Sequence, residues 1–110
     1  MSNIDEMRAS KDIDGLIHVL KNEEGDARMY ASIALSEMGA EAVEPLLGAL
    51  KEGNEDVKWE ASIALSRIGE PAVEGLKEFL DDEDEEVKYY ASVALGQMWL
   101  QGHDFKGESV

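Results

Sequence analysis

One short stretch decides the fold: ASIALS at 31–36 returns unchanged at 61–66, and it returns again as ASVALG at 91–96. The flanking sequence keeps the same spacing, because aligning 27–56 with 57–86 gives 13 identities in 30 positions without a gap. A period of this length is typical of repeat proteins whose units stack into a solenoid. Solenoids mostly bind other macromolecules through an extended surface. The sequence therefore predicts an interaction module.

Each repeat is predicted to contain two helices. Apolar residues recur at the spacing of one helical face from Val57 to Ile68, which predicts the first helix of the middle unit. Gly69 is placed to end that helix, and Pro71 lies in the first turn of the second. The preceding unit matches, with helices predicted at 27–38 and 41–50. The buried face of the middle unit's second helix is predicted to comprise Val73, Leu76 and Leu80.

The pattern as a whole predicts a single all-α domain, folded as a right-handed α-solenoid of about six or seven helices. Terminal units of a solenoid must cover the open ends of its core. The side chains predicted to do so are Met7, Trp99 and Phe105. The predicted divisions are an N-terminal cap and half repeat at 1–26, full repeats at 27–56 and 57–86, a C-terminal half repeat at 87–101 and a flexible tail at 102–110.

The composition excludes several classes of function. A formal net charge of −15 on 110 residues repels phosphate backbones and anionic membranes, so neither nucleic acid nor a membrane is expected as a partner. The same charge favours a basic protein partner or reflects adaptation to a salty cytoplasm. The absence of cysteine excludes disulfides and thiolate metal sites. The first ten residues lack the layout of a signal peptide, so a cytoplasmic location is expected.

Twelve of the 25 acidic residues lie just before or at the start of the three first helices, in 23–26, 52–56 and 81–86. Two interpretations stay open. Carboxylates near helix N-termini stabilise the helix by capping and by compensating its dipole. Alternatively, the acidic edge is a docking rim for a basic partner. A calcium loop fits poorly, because Val87 stands where such a loop requires glycine.

Catalytic motifs are absent from the sequence. It contains no Gly-rich phosphate loop, nucleophile elbow or histidine-paired nucleophile, so we do not expect an enzyme. The two histidines, His18 and His103, do not follow the repeat period and form no predicted metal site. We interpret His18 as a solvated helix residue, and we expect neither a metal nor a cofactor.

The units resemble HEAT-like repeats of the short type found in phycocyanobilin-lyase subunits. The matching residues are Val57-Lys58, the stretch 61–65 and the turn IGEPAVE at 68–74, and the resemblance covers about 13–98. It implies an arginine at the position of Lys58, tied to an acidic residue of the connecting loop. Arg28 keeps that arginine, whereas Lys58 and Lys88 replace it. The resemblance also implies an alternative function, a stand-alone relative of bilin-lyase subunits that binds or transfers a tetrapyrrole or other cofactor.

The first helices depart from that family at positions that are usually polar and face solvent on the convex side. Large apolar residues occupy these positions as i, i+4 pairs, and stacking of the units would align the pairs into one stripe. The stripe is either an interface for a partner or for a homodimer, or it packs between neighbouring first helices. Tyr30 and Tyr90 are expected to pack internally. The predicted partner-binding residues are Met29, Ile33, Trp59, Ile63, Tyr89 and Val93.

The second helices are predicted to form the concave side. Ile17 and Leu47 are expected there as neighbouring exposed aliphatic residues. This face is either a grip for a short peptide or a solvated helix surface. Taken together, the sequence predicts a non-catalytic protein–protein interaction module, a small scaffold or adaptor.

Overall fold

Residues 3–101, the part of the chain that the computed structural model describes, form seven α-helices, two short 3-10 helices and no strand. The two 3-10 helices, Gly39–Ala42 and Glu70–Ala72, lead directly into α4 and α6. The α-helices are α1 (Ile4–Ser10), α2 (Ile13–Asn22), α3 (Asp26–Met38), α4 (Val43–Glu52), α5 (Glu55–Ile68), α6 (Val73–Phe79) and α7 (Glu85–Leu100).

The turn inside each unit depends on a glycine. Gly39 has a φ of 71° and Gly69 a φ of 85°, a region that side chains with a Cβ rarely adopt. The prediction that Gly69 ends the first helix is confirmed. The second helices begin slightly later than predicted, because the chain leaves each glycine through a 3-10 turn, in which the Ala72 N–H donates to the Gly69 carbonyl at 2.8 Å.

The helices form two layers. The first helices, α1, α3, α5 and α7, lie side by side, and the second helices, α2, α4 and α6, pack against them. This arrangement follows from the repeat, because each full unit contributes one helix to each layer. The predicted all-helical architecture is confirmed.

The core is built from leucines at equivalent positions of successive units. Leu16, Leu46 and Leu76 of the second helices are fully buried, as are Leu35 and Leu65 of the first helices. Burying one such side chain contributes about 1.5–3 kcal/mol. Leu95, the third member of the first-helix series, is only partly buried, because α7 has a first-layer neighbour, α5, on one side alone within residues 3–101.

The prediction that Leu80 belongs to the buried face of α6 is wrong. Its side chain is exposed, and α6 ends one residue earlier, at Phe79. The N–H groups of Leu80, Asp81 and Asp82 bond to carbonyls three residues back, at 3.1–3.2 Å. These tighter bonds rotate Leu80 away from the core, and Phe79 packs against the core instead.

The two ends of the helical stack differ from each other. Met7 packs against the core, as predicted for a capping residue. Trp99 is 59% exposed, so the prediction that it covers the core is wrong, and the neighbouring Met98 is fully buried in its place. The third predicted cap, Phe105, lies outside the described residues. The predicted extension of the last helix towards Gln101 is confirmed, because α7 ends at Leu100.

Candidate interaction surface

The apolar stripe is divided between exposed and partly buried side chains. Met29 on α3, Trp59 on α5 and Tyr89 on α7 are 40%, 43% and 60% exposed. Their i+4 partners, Ile33, Ile63 and Val93, are each partly buried. The stripe therefore presents three large side chains to solvent, on neighbouring helices and at equivalent positions of successive units.

Small residues bring these helices close together. Ser32 and Ser62 are buried on α3 and α5, and the Ser32 hydroxyl donates to the Glu60 carbonyl of α5 at 3.3 Å. A side chain this short lets one backbone approach the next. The stripe therefore lies on first helices that pack against each other, and its three exposed side chains recur once in each unit.

The two tyrosines next to the stripe have different environments. Tyr90 is partly buried against the core and meets the Tyr89 ring edge-on, with centroids 5.1 Å apart. Burial, together with the nearby carboxylates of Glu55 and Glu86, raises the pKa of the Tyr90 phenol. Tyr30 is 49% exposed, so the prediction that it packs internally is wrong. Within residues 3–101, the short α1 is the one first helix beside α3 at this end, and Tyr30 lines a groove together with Ile4 and Arg8.

Three equivalent basic residues have three different roles. The Arg28 side chain donates to the Leu20 carbonyl at 3.3 Å and forms an ion pair with Asp56 at 3.5 Å. Lys58 is buried, and its ammonium group donates to the carbonyls of the preceding second helix. Lys88 instead pairs with its neighbour Glu85 at 3.2 Å.

The Lys58 ammonium group satisfies two carbonyls at the C-terminal end of α4. The distances are 3.0 Å to Leu50 and 2.9 Å to Lys51. Carbonyls in the last turn of a helix have no partner within the helix, so a cation placed there both bonds to them and compensates the helix dipole. The sequence resemblance pointed to an acidic partner for this position. Arg28 and Lys88 have one, in Asp56 and Glu85, whereas the Lys58 ammonium group bonds to carbonyls.

A second concave feature lies between α4 and α6. This groove, which we call the α4–α6 groove, has Val43, Leu47, Gly48 and Gly75 among its lining residues. Leu47 is buried, so the prediction that it projects outward is wrong. The reason is Gly75, which leaves room for Leu47: a Cβ built on Gly75 would approach Leu47 Cδ1 to 2.4 Å.

Lys51, one of the lining residues of the α4–α6 groove, forms an ion pair. The Lys51 ammonium group donates to the Asp82 carboxylate at 2.9 Å and lies 5.9 Å from the centre of the Phe79 ring. A hydrogen bond from the Asp84 N–H, followed by the one from Lys51, lowers the pKa of Asp82. The hydrogen bond to Asp82 in turn raises the pKa of Lys51.

These shifts predict a pH-dependent contribution to stability. Asp82 titrates below its usual value of 3.8, so its contribution is present at neutral pH and is lost as the pH falls through the lowered pKa. Lys51 titrates above its usual 10.5, so its contribution is lost only in strong alkali. We expect Asp82→Asn to lower the urea midpoint at pH 6, and the difference from the wild type to vanish at strongly acidic pH. Asp81→Asn, at a neighbouring exposed carboxylate, is the control, and a difference that persists in acid would contradict this assignment.

Comparison with known families agrees with the two-layer geometry. The family model described as HEAT repeats matches residues 13–98, which is most of the chain. The chain is a HEAT-repeat protein. Comparison with curated proteins gave no match.

Much of the acidic edge of this HEAT-repeat protein supports helix ends. Asp84 accepts a hydrogen bond from the Glu86 N–H at 2.9 Å and so caps α7. Asp26, Glu55 and Asp56 lie in the first turns of α3 and α5, where a negative charge opposes the positive end of the helix dipole. These positions agree with the capping interpretation of the edge.

The described HEAT units hold no clustered metal ligands. Within residues 3–101, no three histidine or carboxylate side chains converge as a metal site would require. His18 is exposed on α2, and its Nδ1 lies 3.2 Å from the side-chain amide of Asn22. His103 lies outside the described residues. Over the same 3–101 range, none of the helices has the length and apolar character that crossing a bilayer requires.

Proposed function

We propose that this HEAT-repeat protein is a non-catalytic protein-interaction module, a small scaffold or adaptor that docks a partner protein on the apolar stripe. HEAT repeats generally mediate protein–protein interactions, and the matched units account for most of the chain. The observation that carries the proposal is the exposure of Met29, Trp59 and Tyr89 on three adjacent helices.

The chemistry of the stripe supports this assignment. Tryptophan, tyrosine and methionine are enriched in interfaces, and tryptophan and tyrosine in particular dominate binding energies. Trp59 occupies the middle of the stripe, where a partner would exclude water from it most completely. The partly buried Ile33, Ile63 and Val93 provide an apolar surface beside it.

The stripe is not needed to hold the fold together. None of the six stripe residues belongs to the buried core or to the partly buried apolar residues that pack against it. A polar substitution at an exposed stripe residue therefore removes the docking surface and leaves the core intact. This separation makes the proposal testable by a single change.

We expect Trp59→Glu to weaken partner binding by about thirtyfold or more, because losing a central aromatic anchor typically costs at least about 2 kcal/mol. The measurement is cross-linking and quantitative capture from the native host, comparing the wild type with the variant. Light scattering on a sizing column, at low and high salt, reports whether the partner is a second copy. A dimer that persists in high salt and dissociates in Trp59→Glu would assign the stripe to self-association.

The matched control is Leu80→Glu, which places the same charge at an apolar side chain of similar exposure at the end of α6. Both variants should unfold cooperatively, and only Trp59→Glu should lose the partner. Unchanged mass, stability and captured proteins in Trp59→Glu would remove the support for this function.

The proposal also covers the subtype of the HEAT repeat and the handedness of the stack. A repeat length of thirty residues and the glycine turns at Gly39 and Gly69 support the short, lyase-type HEAT-like unit, wound as a right-handed solenoid. The alternative function, a carrier of a tetrapyrrole or other cofactor, has a direct readout. Visible absorbance bands in protein purified from its native host would favour that alternative over the scaffold.

A further inference from the structure

The α4–α6 groove is a concave site on the second-helix layer, away from the apolar stripe. Its floor is apolar, with the buried side chains of Val43 and Leu47, and its volume is about 420 Å³. Pockets of this size hold a few side chains or a small ligand.

The groove exists because α4 lacks a side chain at its centre. Gly48 lies in the interior of α4, where glycine is less favourable than alanine. Packing does not require it, since a Cβ at Gly48 would meet no atom within 4 Å. The equivalent residues of the neighbouring units are His18 and Glu78. Gly48 therefore departs from the repeat, and its effect is to leave the groove open.

Carboxylates surround this opening. Four exposed glutamates line the groove, and its basic lining residue, Lys51, is already bound to Asp82 at 2.9 Å. The negative charge of the rim is thus left without compensation from the groove itself. The four residues are Glu44, Glu52, Glu74 and Glu78.

We propose that the α4–α6 groove binds a basic peptide segment of a partner protein, with one aliphatic side chain over Gly48 and flanking lysine or arginine side chains on the glutamate rim. Charge complementarity selects this occupant. A second copy of the chain carries the same charge of −15 and is repelled, as is nucleic acid. The apolar floor adds a second requirement, an aliphatic side chain in the peptide, which charge alone does not impose.

The inference goes beyond the stripe function and fails independently of it. The stripe lies on α3, α5 and α7, whereas the groove lies on α4 and α6. Trp59→Glu should therefore leave peptide binding unchanged. A variant that fills the groove should likewise leave docking on the stripe unchanged.

Fluorescence anisotropy of a short labelled peptide with a central leucine and flanking lysines and arginines tests the inference. We expect saturable binding to the full-length protein that weakens with added salt. Gly48→Gln fills the groove with an uncharged side chain and should weaken binding about tenfold, or ~1.4 kcal/mol. The matched control is Gly96→Gln, because Gly96 also lies inside a helix and a Cβ there meets nothing within 4 Å.

Both glutamine variants should be at least as stable as the wild type, since each replaces a helical glycine with a better helix former. The charge arm of the test is the double variant Glu74→Gln/Glu78→Gln. Its control is Glu24→Gln/Glu60→Gln, which removes the same charge away from the groove. The peptide arm replaces the central leucine with serine, which should weaken binding through loss of the apolar contact.

Three results would overturn the inference. One is no saturable binding of the leucine-containing basic peptide to the wild type. Another is equal binding by Gly48→Gln and Gly96→Gln. The third is an equal loss in the two double-glutamine variants, because binding would then follow the net charge of the protein and not the groove. Binding that is lost in Gly48→Gln and kept in Gly96→Gln and Trp59→Glu establishes the site.

Discussion

Lys58→Met should lower the free energy of unfolding by about 2–3 kcal/mol, although methionine matches the length and apolar stem of lysine. The Lys58 ammonium group is buried and donates to two carbonyls of the last turn of α4. Hydrogen bonds to charged groups contribute about 1.5–3 kcal/mol, and their loss here leaves the buried Leu50 carbonyl without this partner. Urea unfolding followed by circular dichroism measures the change.

Lys88→Met is the matched control for that experiment. Lys88 occupies the equivalent position of the next unit, but its contact is an exposed ion pair with Glu85. Exposed pairs of this kind contribute about 0–1 kcal/mol. Equal losses in the two variants would show that Lys58 acts through net charge and not through the end of α4.

Leu65→Ala should cost about 3–4 kcal/mol, the largest effect that we expect from a single core substitution. Leu65 is fully buried on α5, which has first-layer neighbours on both sides, α3 and α7. Removing it forfeits its transfer free energy and leaves a cavity, a combination that typically costs 2–5 kcal/mol. The thermal midpoint should fall on the order of 15 °C.

The same substitution at Leu95 is the control for the effect of position in the stack. Leu95 is the repeat equivalent of Leu65 on α7, but it is only partly buried. Removing a partly exposed side chain leaves a smaller cavity, so we expect the free energy of unfolding to fall by about 1 kcal/mol. Comparable losses at the two positions would contradict the described difference between the middle of the stack and α7.

The sequence was sufficient for the helices and most of the core because both follow the repeat. The leucines at 16, 46 and 76 recur at one spacing, and a buried helical face is a direct consequence of that periodicity. The turns at Gly39 and Gly69 could also be predicted locally, because a positive φ depends on the residue type at a single position. These features need no information from distant parts of the chain.

The features that sequence reasoning missed depend on contacts between units. Lys58 and Lys88 are the same residue type at the same repeat position, yet only Lys58 reaches the carbonyls of the preceding helix. The second helices that precede them also end differently, because α4 continues to Glu52 whereas α6 ends at Phe79 in a tighter turn.

The second-helix face was predicted to be either a peptide grip or a solvated surface, but the α4–α6 groove on it was not predicted, for a similar reason. Leu47 was predicted to be exposed because its position lies on the face of α4 opposite the predicted buried face. The absent side chain of Gly75 on α6 lets it fold inward. The available signal was Gly48, a glycine in the interior of a helix where the other units have large side chains. Comparing the repeats position by position, and not only for their apolar residues, would have found it.

The burial of the Lys58 amine between α4 and α5 also has a chemical consequence. Amine-reactive reagents modify an uncharged, accessible amino group, so the exposed lysines of this protein react first. Lys58 becomes reactive only when the contact between α4 and α5 opens, because its Nζ is bonded to two carbonyls in the closed state. The rate at which Lys58 is modified therefore measures how often the unit opens locally. This local opening takes place under native conditions, without unfolding of the whole chain.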